Sequence, residues 1–370
     1  MLLSVSLSFI VAFVLTLITI PPIIKVSKEK NLFDEPNHRK LNKIVIPNLG
    51  GVAIFIGATL SSILFFPIAI PHNIQYLFAG MVLMLFVGLK DDIIGSSPRN
   101  KLFMQILAAV VLVSLGSLHI DNLSNLFFIT HIPIWISIPI SLFFYLFIIN
   151  AMNLVDGIDG LAAGISILFL VITGLWFYAI GNNAYAIICA AFTGSLFGFL
   201  RYNLFSKKNK IFMGDTGSLI IGILIASLSI IFLNPSKVTN EYPDLKPIPS
   251  LLLALLVIPT ADTIRVFYMR IKAGKSPFSP DMNHIHHVLI KSGLSHRLSS
   301  LLLVSWSLTM FALSLFLQQL VPQTIVFILI LVLTWSMVNV IYQRNNRMSK
   351  MRRMRLIVIQ NRRKSKYNNR

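Results

Sequence analysis

Cysteine is all but absent from this chain of 370 residues. The one copy, Cys189, lies in an apolar run, which excludes an intrachain disulfide and says nothing about redox compartment. Charge is scarce as well. Charged residues make up 12% of the chain, where soluble domains carry about a quarter. Hydrophobic residues make up 55%, and the mean hydropathy is +0.78. That balance excludes an ordinary water-soluble fold and equally excludes disorder. It describes a polytopic membrane protein. Acids are the scarcer charge: 13 Asp and Glu stand against 32 Lys and Arg, a formal net charge of +19. On a soluble protein this excess suggests a nucleic-acid partner. On a membrane protein the question becomes which side of the bilayer the cations occupy.

A membrane-spanning helix takes about 20 mostly apolar residues. Eleven segments qualify, roughly 1–24, 49–70, 76–89, 102–118, 132–149, 161–180, 184–200, 213–233, 249–268, 301–318 and 322–342. The expected fold class is all-α, a polytopic helical bundle with about 11 transmembrane helices. Lys25 and Lys28 follow the first segment and no basic residue precedes it, the reverse of a secretory signal. It reads as a retained span with its N-terminus outside. Alternating sides from there puts loops 25–48, 90–101, 150–160, 201–212 and 265–300 on one face with the C-terminal segment. That face holds 30 of the 32 Lys and Arg, and only Lys237 and Lys246 lie opposite. By the positive-inside rule it is cytoplasmic. The expected organisation is a transmembrane catalytic domain over 1–343, with cytoplasmic active-site loops at 25–48, 90–101, 150–160, 201–212 and 269–300. A basic cytoplasmic tail follows over 344–370. No internal repeat is evident, so an inverted-repeat transporter gains no support.

Ionisable residues near spans are costly and mark function. Asp121, Glu241 and Asp244 fall in outer loops, and the other ten acids fall at cytoplasmic ends or loops. This favours a reaction site at the inner face over the cation path that a transporter would use. Gly88-Leu89-Lys90-Asp91-Asp92 closes the third span, with Lys101 and Gln105 downstream. Adjacent carboxylates on a helix end diverge by about 100°. They can serve a metal and a proton acceptor together, although a solvated turn has the same pattern. Asn150, Asn153, Asp156 and Asp159 recur at intervals of three, which places successive pairs on one helical face. Gly157 and Gly160 end the helix or let backbone approach a ligand. The loop has no Lys or Arg, so its acids lack a local salt-bridge partner, and their oxygens suit Mg²⁺ bound through phosphates. A polar hairpin is the plainer alternative. Asp215, in Phe212-Met213-Gly214-Asp215, either caps the eighth span or holds a cation against a phosphate. Ser279-Pro280 reads as a helix start ahead of His284, His286 and His287. Helix starts attract phosphate, while three clustered histidines also admit zinc or a bland loop. Arg39 and Lys40 can fork a phosphate or simply set topology.

In this order and combination the five clusters resemble the polyprenyl-phosphate N-acetylhexosamine-1-phosphate transferases of glycosyltransferase family 4. The resemblance lies on the bacterial branch that makes undecaprenyl-pyrophosphoryl-GlcNAc, with the lipid I translocase of peptidoglycan synthesis a more distant relative. It runs over about residues 25–300. It implies metal chemistry and activation of the lipid phosphate for Asp91 and Asp92, and phosphate contact for Lys101. Magnesium ligation is implied for Asn153 and Asp215, with Asp156 and Asp159 as the catalytic acids of the Asn153 motif. Nucleotide-sugar binding is implied for His284, His286 and His287, with Arg39 and Asn150 as further substrate-binding candidates. The His-x-His-His pattern favours the GlcNAc branch. The chain departs from the family in having Met282 where an Arg is usual, and Val45 and Asn48 where Pro and Arg are usual.

The resemblance implies transfer of GlcNAc-1-phosphate from its UDP-sugar to undecaprenyl phosphate, with release of UMP. The product starts a cell-envelope polysaccharide. Mg²⁺ is the implied cofactor, with Mn²⁺ as a substitute. The implied partners are undecaprenyl phosphate, a UDP-N-acetylhexosamine and the lipid bilayer, with no nucleic acid and with a homodimer left open. The implied setting is the bacterial cytoplasmic membrane, multi-pass, with the active site on the cytoplasmic face. Another UDP-N-acetyl sugar, a lipid I-type donor and a cation transporter are the competing readings.

Overall fold

The computed structural model describes residues 1–30, 32, 46–68, 70–234, 248–276 and 284–368, with side chains through 345 and at 347. Arg39, Lys40, Val45 and Met282 lie outside these residues. The chain runs through α1 (Leu2–Glu29), α2 (Gly50–Phe65), α3 (Asn73–Ile94) and α4 (Pro98–Val110), which a π-helical turn extends to Leu115. Strands β1 (Asn122–Leu126) and β2 (Ile129–His131) pair antiparallel, a small hairpin that amends the all-helical expectation. Then come α5 (Ile134–Val155), α6 (Leu161–Ala179), α7 (Asn183–Asn203) and α8 (Gly214–Leu233). The remainder is α9 (Pro249–Leu255), α10 (Val257–Lys272), α11 (Ile285–Lys291), α12 (His296–Leu317) and α13 (Gln323–Asn368).

Among the described residues, eight helices are long and apolar enough to cross a membrane. The number is nine if α9 and α10, bent by 79° at their junction, form one broken span. Each of the eleven expected segments overlaps a helix, but overlap is not a crossing: α2, for example, has only 16 residues. The expected loops shrink for a clear reason. Hydropathy finds the apolar middle of a helix, whereas backbone hydrogen bonding continues into its polar ends. Thus α3 carries Lys90, Asp91 and Asp92 in its last turns, and α5 carries Asn150 and Asn153. Only residues 95–97 separate α3 from α4. Gly95, at φ +81°, ends one helix. Ser97 starts the next, accepting from the Asn100 amide at 3.3 Å with Pro98 in the first turn. Helix α13 runs unbroken from Gln323 to Asn368, and its apolar part ends at Asn345.

Helix α8 is the axis of the bundle. Every residue from Thr216 to Leu233 is buried, and α2, α3, α5 and α6 surround it. In lipid the packing of helices relies on close backbone approach, which small residues permit. Here Gly88 of α3 lies so close to Thr216 that an added Cβ would overlap its backbone, and Gly51 of α2 lies likewise against Gly217. The chain before α2 is stitched to the chain before α8. Phe212 N–H donates to the Pro47 carbonyl at 2.8 Å, Gly50 N–H to Phe212 at 2.9 Å and Gly51 N–H to Met213 at 2.8 Å.

This packing yields a test. Gly88→Ala should cost about 1–3 kcal/mol through overpacking against backbone. Thermal unfolding in detergent should show a fall of several degrees, and an unchanged midpoint would mean that α3 and α8 do not approach this closely.

Candidate active site

Two adjacent acids on α3 diverge as their spacing requires. Asp92 points at the start of α8, where its carboxylate accepts from the amides of Asp215 and Thr216, each at 2.9 Å, and from the Thr216 hydroxyl at 2.6 Å. Asn48 donates a further bond at 3.2 Å. Asp92 therefore satisfies the open amides of a helix start from another helix. In this structure it holds the Phe-Met-Gly-Asp segment at the start of α8. Gly214 is required here: its φ is +71°, and a Cβ would overlap the Asn48 carbonyl and crowd the Asp92 carboxylate.

Asp91 turns the other way, and its Oδ2 accepts from Lys101 Nζ at 3.1 Å. The same ammonium bonds Asp215 Oδ2. Asp215 Oδ1 accepts from Asn153 Nδ2 at 2.7 Å, and that nitrogen also reaches the Ser218 hydroxyl at 2.8 Å. Helices α3, α4, α5 and α8 thus each bring one side chain to a single point. The Asn153 Oδ1 accepts no hydrogen bond among the described residues.

Asp156 follows the last residue of α5 and is half-buried. Among the described residues it has neither a hydrogen-bond partner nor an ion pair. Burial, and then the negative charges of Asp215, Asp92 and Asp159, push its pKa well above the usual carboxylate range. Lys101 is shared between Asp91 and Asp215, and Asp156 has no cation paired with it among the described residues. No group of three His, Cys, Asp or Glu forms a preformed cage among the described residues. Mg²⁺ binds through one or two carboxylates and keeps waters or substrate phosphates as its other ligands, and the two expected ligands, Asp215 and Asn153, lie together here.

Asp159 departs from the expected common face, because α5 ends before it. Its Oδ2 accepts from Lys210 at 2.6 Å and lies 3.0 Å from His296 Nδ1. Burial alone would raise its pKa, but the bonds from His296 and Lys210 outweigh burial and hold it below the ordinary value. Asp159 has no salt-bridge partner within its own loop, and the partners it finds, Lys210 and His296, are remote in sequence. Its carboxylate ties the loop after α5 to the chain before α8 and to α12. Asn150 is also engaged elsewhere, donating to Gln105 Oε1 at 2.9 Å and to the Leu146 carbonyl at 2.7 Å.

The three histidines divide. His284 is anchored on Asp262 of α10, its Nδ1 2.9 Å from Oδ2. His286 is buried against Gly157, where an added Cβ would overlap its Nε2. Burial, and then the neighbouring imidazoles, hold its pKa well below the ordinary value. His287 is half-buried beside it, with ring centroids 4.3 Å apart. The histidine segment thus reaches the Asp156 loop. Arg39 lies outside the described residues. Spacing alone missed Asp262, Lys210 and His296. An acid inside the apolar run 249–268 was the available signal for Asp262.

Comparison with known proteins points one way. Residues 74–233 match glycosyl transferase family 4. An undecaprenyl-phosphate alpha-N-acetylglucosaminyl 1-phosphate transferase of Escherichia coli K12 is 30% identical over 312 residues, covering 80% of this chain and 79% of the relative. The protein of that name from Yersinia pestis is 32% identical over 299 residues, 80% of each chain. A probable undecaprenyl-phosphate N-acetylglucosaminyl 1-phosphate transferase of Bacillus subtilis is 34% identical over 300 residues, again 80% of each.

Asp92→Asn and Asp156→Asn should affect stability oppositely. The first removes an acceptor from a helix start and should cost about 1–3 kcal/mol. The second removes an uncompensated charge and should leave the melting temperature equal or higher at neutral pH in EDTA. Because the folded-state pKa of Asp156 is raised, its stabilising contribution is complete below about pH 4 and is lost as pH rises through the folded value. Melting curves in EDTA should therefore fall with pH more steeply for the wild type than for Asp156→Asn. Parallel curves would refute the uncompensated charge.

Proposed function

This chain belongs to glycosyl transferase family 4, and from that membership we propose that it transfers GlcNAc-1-phosphate from UDP-GlcNAc to undecaprenyl phosphate, releasing UMP. The observation that carries the reading is the meeting of Asp91, Lys101, Asn153 and Asp215 from four helices. The setting we propose is the bacterial cytoplasmic membrane, with eleven spans, the N-terminus outside and the site on the cytoplasmic face. Its support is the distribution of Lys and Arg, 30 on one side and two on the other.

In the reaction an oxygen of undecaprenyl phosphate attacks the sugar-proximal phosphorus of UDP-GlcNAc. The bond from that phosphorus to the bridging oxygen breaks, and UMP departs with the electron pair. The product is the lipid-linked sugar pyrophosphate. Two anions must meet, so the first task of the site is to offset their repulsion. The Lys101 ammonium, shared between Asp91 and Asp215, would donate to phosphate oxygens. Asp91 can take a proton from the lipid phosphate when that phosphate arrives protonated. Asp215, the Asn153 Oδ1 and Asp156 are the oxygens that would hold Mg²⁺. When bound, the ion neutralises charge on the diphosphate and on the departing UMP. Asp92 keeps Asp215 in register by fixing the turn before it. His286 borders the Asp156 loop on the side proposed for the nucleotide sugar.

Purified protein given undecaprenyl phosphate, UDP-GlcNAc and Mg²⁺ should release UMP, and EDTA should stop it. Asp215→Ala should lower kcat by at least about a hundredfold. Absence of UMP with any UDP-N-acetylhexosamine would sink the reading, and full turnover by Asp215→Ala would sink the metal assignment.

A further inference from the structure

The histidine segment is held by an acid that lies outside every motif of the sequence. Asp262 sits on α10, and its side chain is 2% exposed. Its Oδ1 accepts from the amide of Ile285, the first residue of α11, at 3.0 Å. Its Oδ2 lies 2.9 Å from His284 Nδ1. At the other edge of the same ring, Nε2 lies 3.4 Å from a guanidinium nitrogen of Arg270. A guanidinium has only donors to offer. Nε2 is therefore the acceptor, and the ring hydrogen sits on Nδ1, donating to Asp262. Both nitrogens of His284 are consumed inside the protein. His286 is the opposite case: its ring is 1% exposed, and neither nitrogen has a partner among the described residues. Its Nε2 edge lies against Gly157, next to Asp156.

We propose that Asp262 is a positioning residue for the donor substrate. With Arg270 it fixes the seat and tautomer of His284, and through the start of α11 it sets His286 against the Asp156–Gly157 loop. Within the histidine segment, His284 is then the anchor and His286 carries the nitrogens left for the ligand. The inference rests on the reading above that this segment meets the UDP-sugar.

Asp262→Asn separates this role from mere packing. The asparagine keeps the size and the acceptor for Ile285, but its amide nitrogen faces His284 Nδ1. The ring hydrogen then moves to Nε2, against the donors of Arg270. Expected are a KM for UDP-GlcNAc and a Kd for UDP, by calorimetry on the full-length protein, both raised about tenfold. The KM for undecaprenyl phosphate should stay within about twofold, while Tm should fall because the buried Arg265 also loses its carboxylate partner at 3.7 Å. An unchanged KM for UDP-GlcNAc, or an equal rise for both substrates, overturns the proposal. Asp262→Ala provides a reading independent of turnover: amide exchange over 285–291 should accelerate about tenfold or more while α8 stays protected. Unchanged exchange also overturns it. A wild type that binds UDP without releasing UMP overturns the proposed reaction alone, and UDP affinity and exchange still decide the role of Asp262. A wild type that does neither overturns both.

Discussion

A helix that starts inside a protein leaves amides without partners, and α8 is buried from Thr216 to Leu233. The Asp92 carboxylate supplies the missing acceptor. It takes the amides of Asp215 and Thr216 and the Thr216 hydroxyl together. Because Asp92 belongs to α3 and Asn48 precedes α2, this set of bonds joins three helices at one point. The glycines at 51, 88, 214 and 217 are the geometric counterpart, since a Cβ at any of them would meet atoms that cannot retreat. With the start of α8 fixed, Asp215 falls beside Lys101 and Asn153. The meeting of Asp215 with Lys101 and Asn153 is thus a consequence of how one helix end is satisfied.

The acids then separate by what faces them. Asp92, Asp159 and Asp262 have their oxygens engaged by amides, hydroxyls, an ammonium or an imidazole, and each ties two or more elements together. Asp91 and Asp215 share one ammonium, and Asp156 has none. Leaving a carboxylate uncompensated among others costs stability. That cost is tolerable where the uncompensated charge is what binds a cation and, through it, two phosphates. The acids that tie elements together and those left short of partners are therefore distinguished by what faces them and not by their exposure.

The same logic links distant parts of the chain. Asp262 organises the start of α11, and its neighbour Arg265 stacks on Tyr342 of α13 at 3.4 Å. Asp159 is joined to Lys210 and to His296 at the start of α12. Elements late in the sequence thereby brace the loop that holds Asp156.

How much of this was legible in the sequence can be argued residue by residue. Composition established a membrane helical protein, because twenty-residue apolar runs have few other homes. The spacing of Asp91-Asp92, Asn153, Asp156 and Asp215, with the histidine pattern, pointed to phosphate and metal chemistry and to the right family. Adjacency also correctly made Asp91 and Asp92 diverge. Spacing misled at Asp159, where the helix ends and the common face with it, and it overlooked Asp262, whose partners in the histidine segment lie 22 and 23 residues away. Sequence periodicity determines which side chains share a helix face, since that depends only on local backbone geometry. Which of them met an amide, an ammonium or nothing was decided by the tertiary structure, because a partner is set by where each helix ends and which helix lies opposite.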